Sequence, residues 1–398
     1  MSEWREILID SACSRLSSGK AISSSLIKDK GDYPVYGGNG IRGFTNTYNF
    51  DGECAIIGRQ GASCGNVRYF SGKAYMTEHA VVAVPTKEHN AYYLSCVLAS
   101  LKLGRLSGQS AQPGIGVGLI GKQTITMPSL ATQQKIASIL FSLDSKIAVN
   151  RRICENLEAQ AQALFKHWFI DFVPFLDKPS GKAERKNGQF VESELGMIPE
   201  GWRVGTLEEL CSFISRGLSP KYQFGTNELV LGQTCVRNNI VTLNNAREHQ
   251  PKENCNKYVK KWDVLLNSTG IGSLGRVGVV YFDKTNVCFD SHLTVVRTKE
   301  DIYRYYVGRN LLNRQKELEN MAVGSTGQTE LPKKDVLVMP ILIPNSDVLP
   351  EFNDIIENIG NKIYTLIAEN LRLSTLRDTL LPKLMSGQIK VNEMEKGL

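Results

Sequence analysis

"WREILIDSACSRLSSG" (residues 4–19) returns without gaps as "WRVGTLEELCSFISRG" (residues 202–217), aligning Trp4 with Trp202, Arg5 with Arg203, Cys13 with Cys211 and Gly19 with Gly217. A chain that restarts itself halfway is built from two copies of one unit. The likeness continues downstream. "GRQGASCGNVRYF" (58–70) resembles "STGIGSLGRVGVVYF" (268–282), "TEHAVVAV" (77–84) resembles "DSHLTVVR" (290–297) with His79 opposite His292, and "GQSAQPGI" (108–115) resembles "GSTGQTEL" (324–331). The growing offset places insertions in the loops of the second copy.

Each copy reads as a globular block followed by a long helix. The blocks hold short β-rich runs ("ECAIIG", "AVVAVP", "WDVLLN", "LTVVRT") cut by Gly and Asn turns, with helical patches near 91–103 and 302–318. After each block apolar residues step alternately by four and three, the seam of a coiled coil. The first seam is Ile136, Leu140, Leu143, Ile147, Asn150, Cys154, Leu157, Ala161, Leu164 and Trp168. The second is Phe352, Ile356, Ile359, Ile363, Leu366, Asn370, Leu373, Arg377, Leu380 and Leu384. Helices of this length act as spacers, and antiparallel pairing would set the two blocks at opposite ends. Asn150 and Asn370 interrupt the apolar seams, each opposite an apolar residue (Leu366, Cys154) in the alignment of the copies, as register-setting polar residues do.

The expected fold class is therefore α+β: two β-rich mixed α/β domains separated by two long helices in an antiparallel coiled coil, with pseudo-two-fold internal repeat. The expected boundaries are 1–128 (first domain), 129–171 (first helix), 172–199 (a charged, Pro- and Gly-bearing linker), 200–344 (second domain), 345–386 (second helix) and 387–398 (a frayed tail).

Of the net charge of +7, residues 1–130 carry 13 Lys/Arg against 9 Asp/Glu and residues 200–344 carry 19 against 15. Both blocks are positive, which suits two polyanion-binding units. The nine dispersed cysteines contain no C-x-x-C pair and no zinc-type spacing, so reduced thiols and no metal are expected. No apolar run is long enough for a membrane span and the opening residues resemble no secretion signal, so a cytoplasmic location is expected.

Catalytic patterns are weak. Gly270-Ile-Gly272-Ser-Leu-Gly275 satisfies G-x-G-x-x-G, yet "RVGVVYF" after it reads as a strand where the dinucleotide fingerprint opens a helix. Gly116 to Lys122 spells most of a P-loop but continues with Gln123 in place of Ser or Thr. The Asn/Asp-Pro-Pro-aromatic tetrapeptide of amino-methyltransferases is absent, and His79 and His292 read as packed, hydrogen-bonded residues rather than general bases. No catalytic residue is assigned.

The polar loops suit recognition. Arg reads guanine, Asn and Gln read adenine, and Lys, Ser and Thr hold phosphates. In the first copy the expected DNA contacts are Lys20, Tyr36, Asn39, Arg42, Arg59, Gln60, Ser63, Asn66, Arg68, Gln109 and Gln112. In the second they are Lys221, Arg237, Asn238, Asn267, Ser268, Thr269, Arg276, Ser325, Thr326 and Gln328.

Taken together, the doubled block, "YPVYGGNGIRGF" (33–44), "SGQSAQPG", "QQKIASILFSLDSKIAVNRRICENL", "ESELGMIPEGW" and "LRDTLLPKLMSGQI" resemble the specificity subunit of type I restriction-modification enzymes. "PILIPNSDVLP" departs from the Gln-bearing helix start at Gln133-Gln134. The resemblance implies two target-recognition domains, each reading one half of a split, asymmetric site in double-stranded DNA. It implies that the helices act as a ruler and dock two methyltransferase subunits, with restriction subunits outside them. S-adenosylmethionine would then belong to the modification subunit, ATP and Mg to the restriction subunit, and no cofactor to this chain. A stand-alone DNA-modifying or nucleotide-using enzyme and a non-DNA coiled-coil scaffold are the alternative classes.

Overall fold

The two aligned opening segments fold alike, element for element. In a computed structural model that describes residues 4–61, 63–108, 113–176, 190–270, 272–324 and 329–391, β1 (Arg5–Leu8), α1 (Ile9–Ala12) and β2 (Cys13–Ser18) recur in the second copy as Arg203–Thr206, Leu207–Leu210 and Cys211–Arg216. The chain divides into two compact units, Met1–Ala148 with Leu371–Leu398, and Val149–Asn370. Each unit takes part of both long helices, whereas the sequence reading ended its domains before them. A half-buried helix stripe belongs to whatever it packs on, and here each end packs on a different core.

In the first unit β3 (Tyr33–Gly37), β4 (Gly40–Thr45), β5 (Phe50–Gly58), β6 (Val67–Met76) and β7 (Ala80–Pro85) join β2 in a six-stranded sheet of order β2-β7-β5-β6-β3-β4. All its pairs are antiparallel except β3 with β6. Helix α2 (Ala91–Ser100), N-capped by the Asn90 side chain, covers one face. Ala55, Ile57, Val81 and Ala83 alternate inward there against Tyr93, Leu94, Val97 and Leu98. The short α3 (Val117–Gly121) follows, then β8 (Thr124–Met127), which pairs with β1. Helix α4 (Leu130–Phe169) starts where the Ser129 hydroxyl accepts the Thr132 N–H. Buried Gln133 fastens this start: it donates to the Pro128 carbonyl at 2.9 Å, accepts from the Asn90 N–H at 3.0 Å and lies 3.0 Å from His89 Nδ1.

In the second unit a hairpin, β9 (Phe190–Ser193) with β10 (Gly196–Pro199), occupies part of the expected linker. Its Ile198 is buried, and Phe172 and Phe175, at the start of the same expected linker, stack edge-on against Trp202. Then come β11 (Arg203–Thr206), α5 (Leu207–Leu210), β12 (Cys211–Arg216), β13 (Leu229–Leu231), β14 (Val236–Arg237), β15 (Asn239–Val241), β16 (Arg247–Glu248), β17 (Val264–Asn267), β18 (Val277–Val279), β19 (Val287–Phe289) and β20 (Leu293–Thr298). The main sheet, β12-β20-β17-β18-β15-β14, repeats the pairing senses of the first, down to one parallel pair, but its outer hairpin is reversed: the earlier strand, β3, is the inner one in the first sheet and the later strand, β15, in the second. The insertion shows as a further sheet, β16-β13-β19, and as a split: residues that form one unbroken ten-residue β6 in the first unit correspond to separate β18 and β19. Helices α6 (Arg304–Asn313), α7 (Gln315–Asn320) and α8 (Lys333–Leu337) and β21 (Pro340–Ile343), paired with β11, lead to α9 (Leu349–Met385).

Within each unit the two helices pack antiparallel. In the first, Ile136 and Leu140 share a core with Leu384 and Leu380, and Arg377 Nη1 meets Asp144 Oδ1 at 2.8 Å. In the second, Phe165 and Phe169 stack on Phe352, and Ile356, Ile363 and Leu366 are buried with Cys154 and Ala161. Leu157, Leu164 and Ile359 lie partly buried against that core, Ile147 is buried, and Leu143 and Leu373 are half-buried. Asn150 does not meet an apolar residue: its Nδ2 donates to Asn370 Oδ1. The segment after the helix is not frayed through residue 391. Gly387 takes a left-handed φ of 72° against Trp4, and Ile389 and Val391 pack into the first core.

Candidate nucleic-acid interface

Both units carry the same glycine-turn frame at the end of their central strands. In the first, Gly58 N–H donates to Asn66 O, Gly65 N–H to Gly58 O, Arg59 N–H to His79 O and Ile115 N–H to Arg59 O, at 2.8–3.0 Å. In the second, Asn267, Gly275, Ser268 and Leu331 donate to Arg276, Asn267, His292 and Ser268 over the same distances. The turns demand glycine. Gly65 (φ 83°) would bring a Cβ within 2.0 Å of Gly104 N, and Gly275 (φ 81°) within 2.8 Å of Glu319 N. After Gly275 the chain enters strand β18, which is not the helix a dinucleotide fingerprint requires.

Around this frame in the first unit, Gly38, Asn39, Arg42, Gln60, Gly61, His79 and Pro113 line one open depression. The β3–β4 hairpin brings Asn39 there, where its Oδ1 accepts from the Ser63 hydroxyl. Arg42, Gln60 and Asn39 are exposed, while Arg59 is half-buried with Nη1 3.3 Å from Ser18 Oγ. Tyr36 stacks edge-on against Phe70, and burial pushes its phenol above the usual range, so it remains a neutral hydroxyl. Lys20 is exposed beside the same sheet end, its N–H on Met76 O. His79 is not a packed core histidine: it is 39% exposed and its Nε2 lies 3.1 Å from Glu78 Oε1.

A second depression holds Asn66 and Arg68 together with Lys102 and Arg105. Sequence reasoning missed those two basic residues. The signal was the pair of cations in "LKLGRLSG" (101–108), on a turn where Lys102 adopts φ 49°. Gln109 and Gln112, and in the second copy Ser325, Thr326 and Gln328, lie outside the described residues.

The second unit corrects part of the expectation. Asn267 and Ser268 are fully buried: Asn267 Nδ2 holds the Gln233 carbonyl at 3.3 Å and Ser268 Oγ lies 2.6 Å from Thr294 Oγ1. They secure the frame rather than present themselves to a ligand, since neither side chain is exposed and each is engaged in a buried hydrogen bond. Thr269 is tied to His292 Nδ1 at 2.8 Å and to Gln233 Nε2 at 2.7 Å. Arg276 is half-buried, with Nη2 donating to Gly272 O at 2.6 Å. Arg237 and Asn238 are exposed at a two-residue hairpin whose Asn238 and Asn239 both take positive φ, a type I′ geometry. Lys221 is exposed on the inserted segment. Among the described residues no helix is long and apolar enough to cross a membrane.

Comparison with known proteins follows the same division. The family model for the type I restriction modification DNA specificity domain matches residues 1–159 and 199–371. The type I restriction enzyme MjaIX specificity subunit of Methanocaldococcus jannaschii is 28% identical over 323 residues, covering 77% of this chain and 70% of that one. The EcoprrI specificity subunit of Escherichia coli is 38% identical over 135 residues, 33% of this chain and only 34% of that relative. The crystal structure of a type I restriction-modification S subunit from M. genitalium matches with a TM-score of 0.56 at 17% identity, covering 96% of each chain. That last likeness is one of fold.

Proposed function

The chain belongs to the type I restriction-modification DNA specificity family, and from that premise we propose that it is the sequence-reading subunit of a methylating and restricting complex, each unit reading one half of a bipartite, asymmetric site in duplex DNA. The observation that carries this reading is the doubled loop frame, alike in backbone and different in side chain: Asn66 stands where the second copy has Arg276. One scaffold presenting two sets of polar groups gives two unrelated half-sites. Exposed Asn39, Arg42 and Gln60 would meet base edges, and Lys102, Arg105, Arg68 and Lys20 would hold phosphates.

The long helices would set the half-site separation, which changes by one turn of DNA for about 34 Å of protein, and would dock two methyltransferase subunits, with restriction subunits joining them. Chemistry is then left to the partners: S-adenosylmethionine on the modification subunit, ATP and Mg on the restriction subunit.

The test is co-purification with the modification subunit followed by selection from a randomised duplex library. Two short blocks at fixed separation are expected. One contiguous motif, or no enrichment, would overturn the reading.

A further inference from the structure

The inserted sheet of the second unit encloses a polar cluster that DNA reading does not use. Glu228 immediately precedes β13, His249 immediately follows β16 and Cys288 lies within β19, so the three donors come from the three strands or their adjoining residues. His249 is 1% exposed and Cys288 0%. The imidazole Nε2 has no hydrogen-bond partner, although Glu228 Oε1 stands 3.3 Å away, and Cys288 Sγ lies 3.3 Å from that same oxygen. Leaving a buried ring nitrogen unpaired is costly, so native structures rarely do it without a ligand.

The spacing suits a zinc ion: the donor atoms all lie within 4.8 Å of one another, two of the separations being 3.3 Å. Bonds of about 2.0–2.3 Å from a tetrahedral zinc ion to N, O and S place neighbouring donors roughly 3.3–3.7 Å apart. A thiolate and a carboxylate offset the charge of a divalent cation, and the neutral imidazole completes a soft, mixed donor set. Cys255 packs in the same small cluster as Cys288, with Leu218, Val230 and Tyr258; its sulfur stands outside the group of donor atoms that lie within 4.8 Å of one another, but beside Cys288, which makes it the candidate fourth donor. The Tyr258 hydroxyl donates to Glu228 Oε1 at 2.9 Å, an orienting bond of the kind that surrounds metal ligands. Backbone bonds hold the donors in place: His249 N–H donates to Glu228 O at 3.1 Å, and the Thr226 hydroxyl to His249 O at 2.9 Å.

We propose that Glu228, His249 and Cys288, with Cys255, form a structural zinc site that clamps the β16-β13-β19 sheet of the second unit. Binding releases the thiol protons to solvent and changes no oxidation state. Three strands of two or three residues bury little by themselves, and the clamp ties together segments far apart in sequence, where closing the loop counts most. Ligands drawn from positions 228, 249, 255 and 288 have no recognisable motif spacing, which is why the sequence argued against a metal.

The experiment uses the full chain, stripped with a chelator under reducing conditions and titrated with Co²⁺ and then Zn²⁺. One equivalent of Co²⁺ is expected, with the visible bands of a tetrahedral ion and a near-ultraviolet sulfur-to-metal charge-transfer band, both displaced by zinc, together with a higher Tm in the zinc form. Cys288→Ser should abolish the charge-transfer band or leave only the weaker contribution of Cys255, His249→Gln should weaken binding at least tenfold, and Cys235→Ser, in a separate buried cluster, should change nothing. Absence of the charge-transfer band in the unaltered protein overturns the proposal whether or not the variants fold, as does an undiminished band in a folded Cys288→Ser protein.

Discussion

Asn150 Nδ2 donates to Asn370 Oδ1 at 3.0 Å and to Glu369 Oε2 at 2.8 Å, and Asn150 is wholly buried where α4 meets α9. Two asparagines that interrupt separate apolar seams are therefore joined by one hydrogen bond across the helix pair. Asn150→Leu should cost about 1–3 kcal/mol by removing the donor that Asn370 and Glu369 share. Adding Asn370→Leu should recover part of that loss. A double-mutant cycle on urea midpoints measures the coupling, and additive losses would mean the pair is not a unit.

Glu158, Tyr281 and Arg309 form a second buried polar group, with Arg309 Nη1 2.5 Å from Glu158 Oε2 and the Tyr281 hydroxyl bonded to both partners. Arg309 is 2% exposed and Glu158 3%. Glu158→Ala strands a buried guanidinium and should cost about 3–5 kcal/mol. Thermal melts of the variant should show this as a large fall in Tm, and a shift no greater than that of Glu155→Ala would refute it.

His89 titrates below the ordinary histidine range, chiefly because burial disfavours its charged form. Between its folded pKa and the unfolded value of about 6.5 the unfolded chain binds more protons, so stability from this group is present above about 6.5 and falls as pH drops through that window. His89→Asn, which can still accept from Gln133, should flatten the difference between urea midpoints at the two ends of the window.

Asn39→Ala with Arg42→Ala should relax sequence preference in one half-site only. A side chain that pairs well with a base edge supplies about 1–3 kcal/mol of discrimination. Library selection at fixed salt reads this directly, and an unaltered first half-site would remove these residues from the readout.

Lys102→Ala with Arg105→Ala should weaken binding to every duplex alike and lower the slope of log K against log salt by about 0.9 for each phosphate that is no longer neutralised. An unchanged slope would place the second depression off the DNA path.

The doubled architecture was legible in the residues because repetition survives divergence: the Trp-Arg openings, His79 and His292, and the paired helices all lie where the fold needs the same backbone twice. Seam spacing showed which helix faces are apolar, since a periodic stripe depends only on neighbours three and four residues away. What depended on distant contacts was hidden. Asn267 and Ser268 look like recognition residues by type, but both are fully buried, hydrogen-bonded to Gln233 and Thr294. Lys102 and Arg105 join Arg68 only through the approach of Gly65 to Gly104. Within the apparently linker-like 172–199, the described residues 172–176 pack aromatic rings against Trp202 and 190–199 form a hairpin, and the donors around Cys288 meet only because β13, β16 and β19 pair. Local pattern determined which elements form and that they form twice; tertiary packing decided which polar side chains reach solvent, because burial is set by residues that the sequence holds tens of positions away.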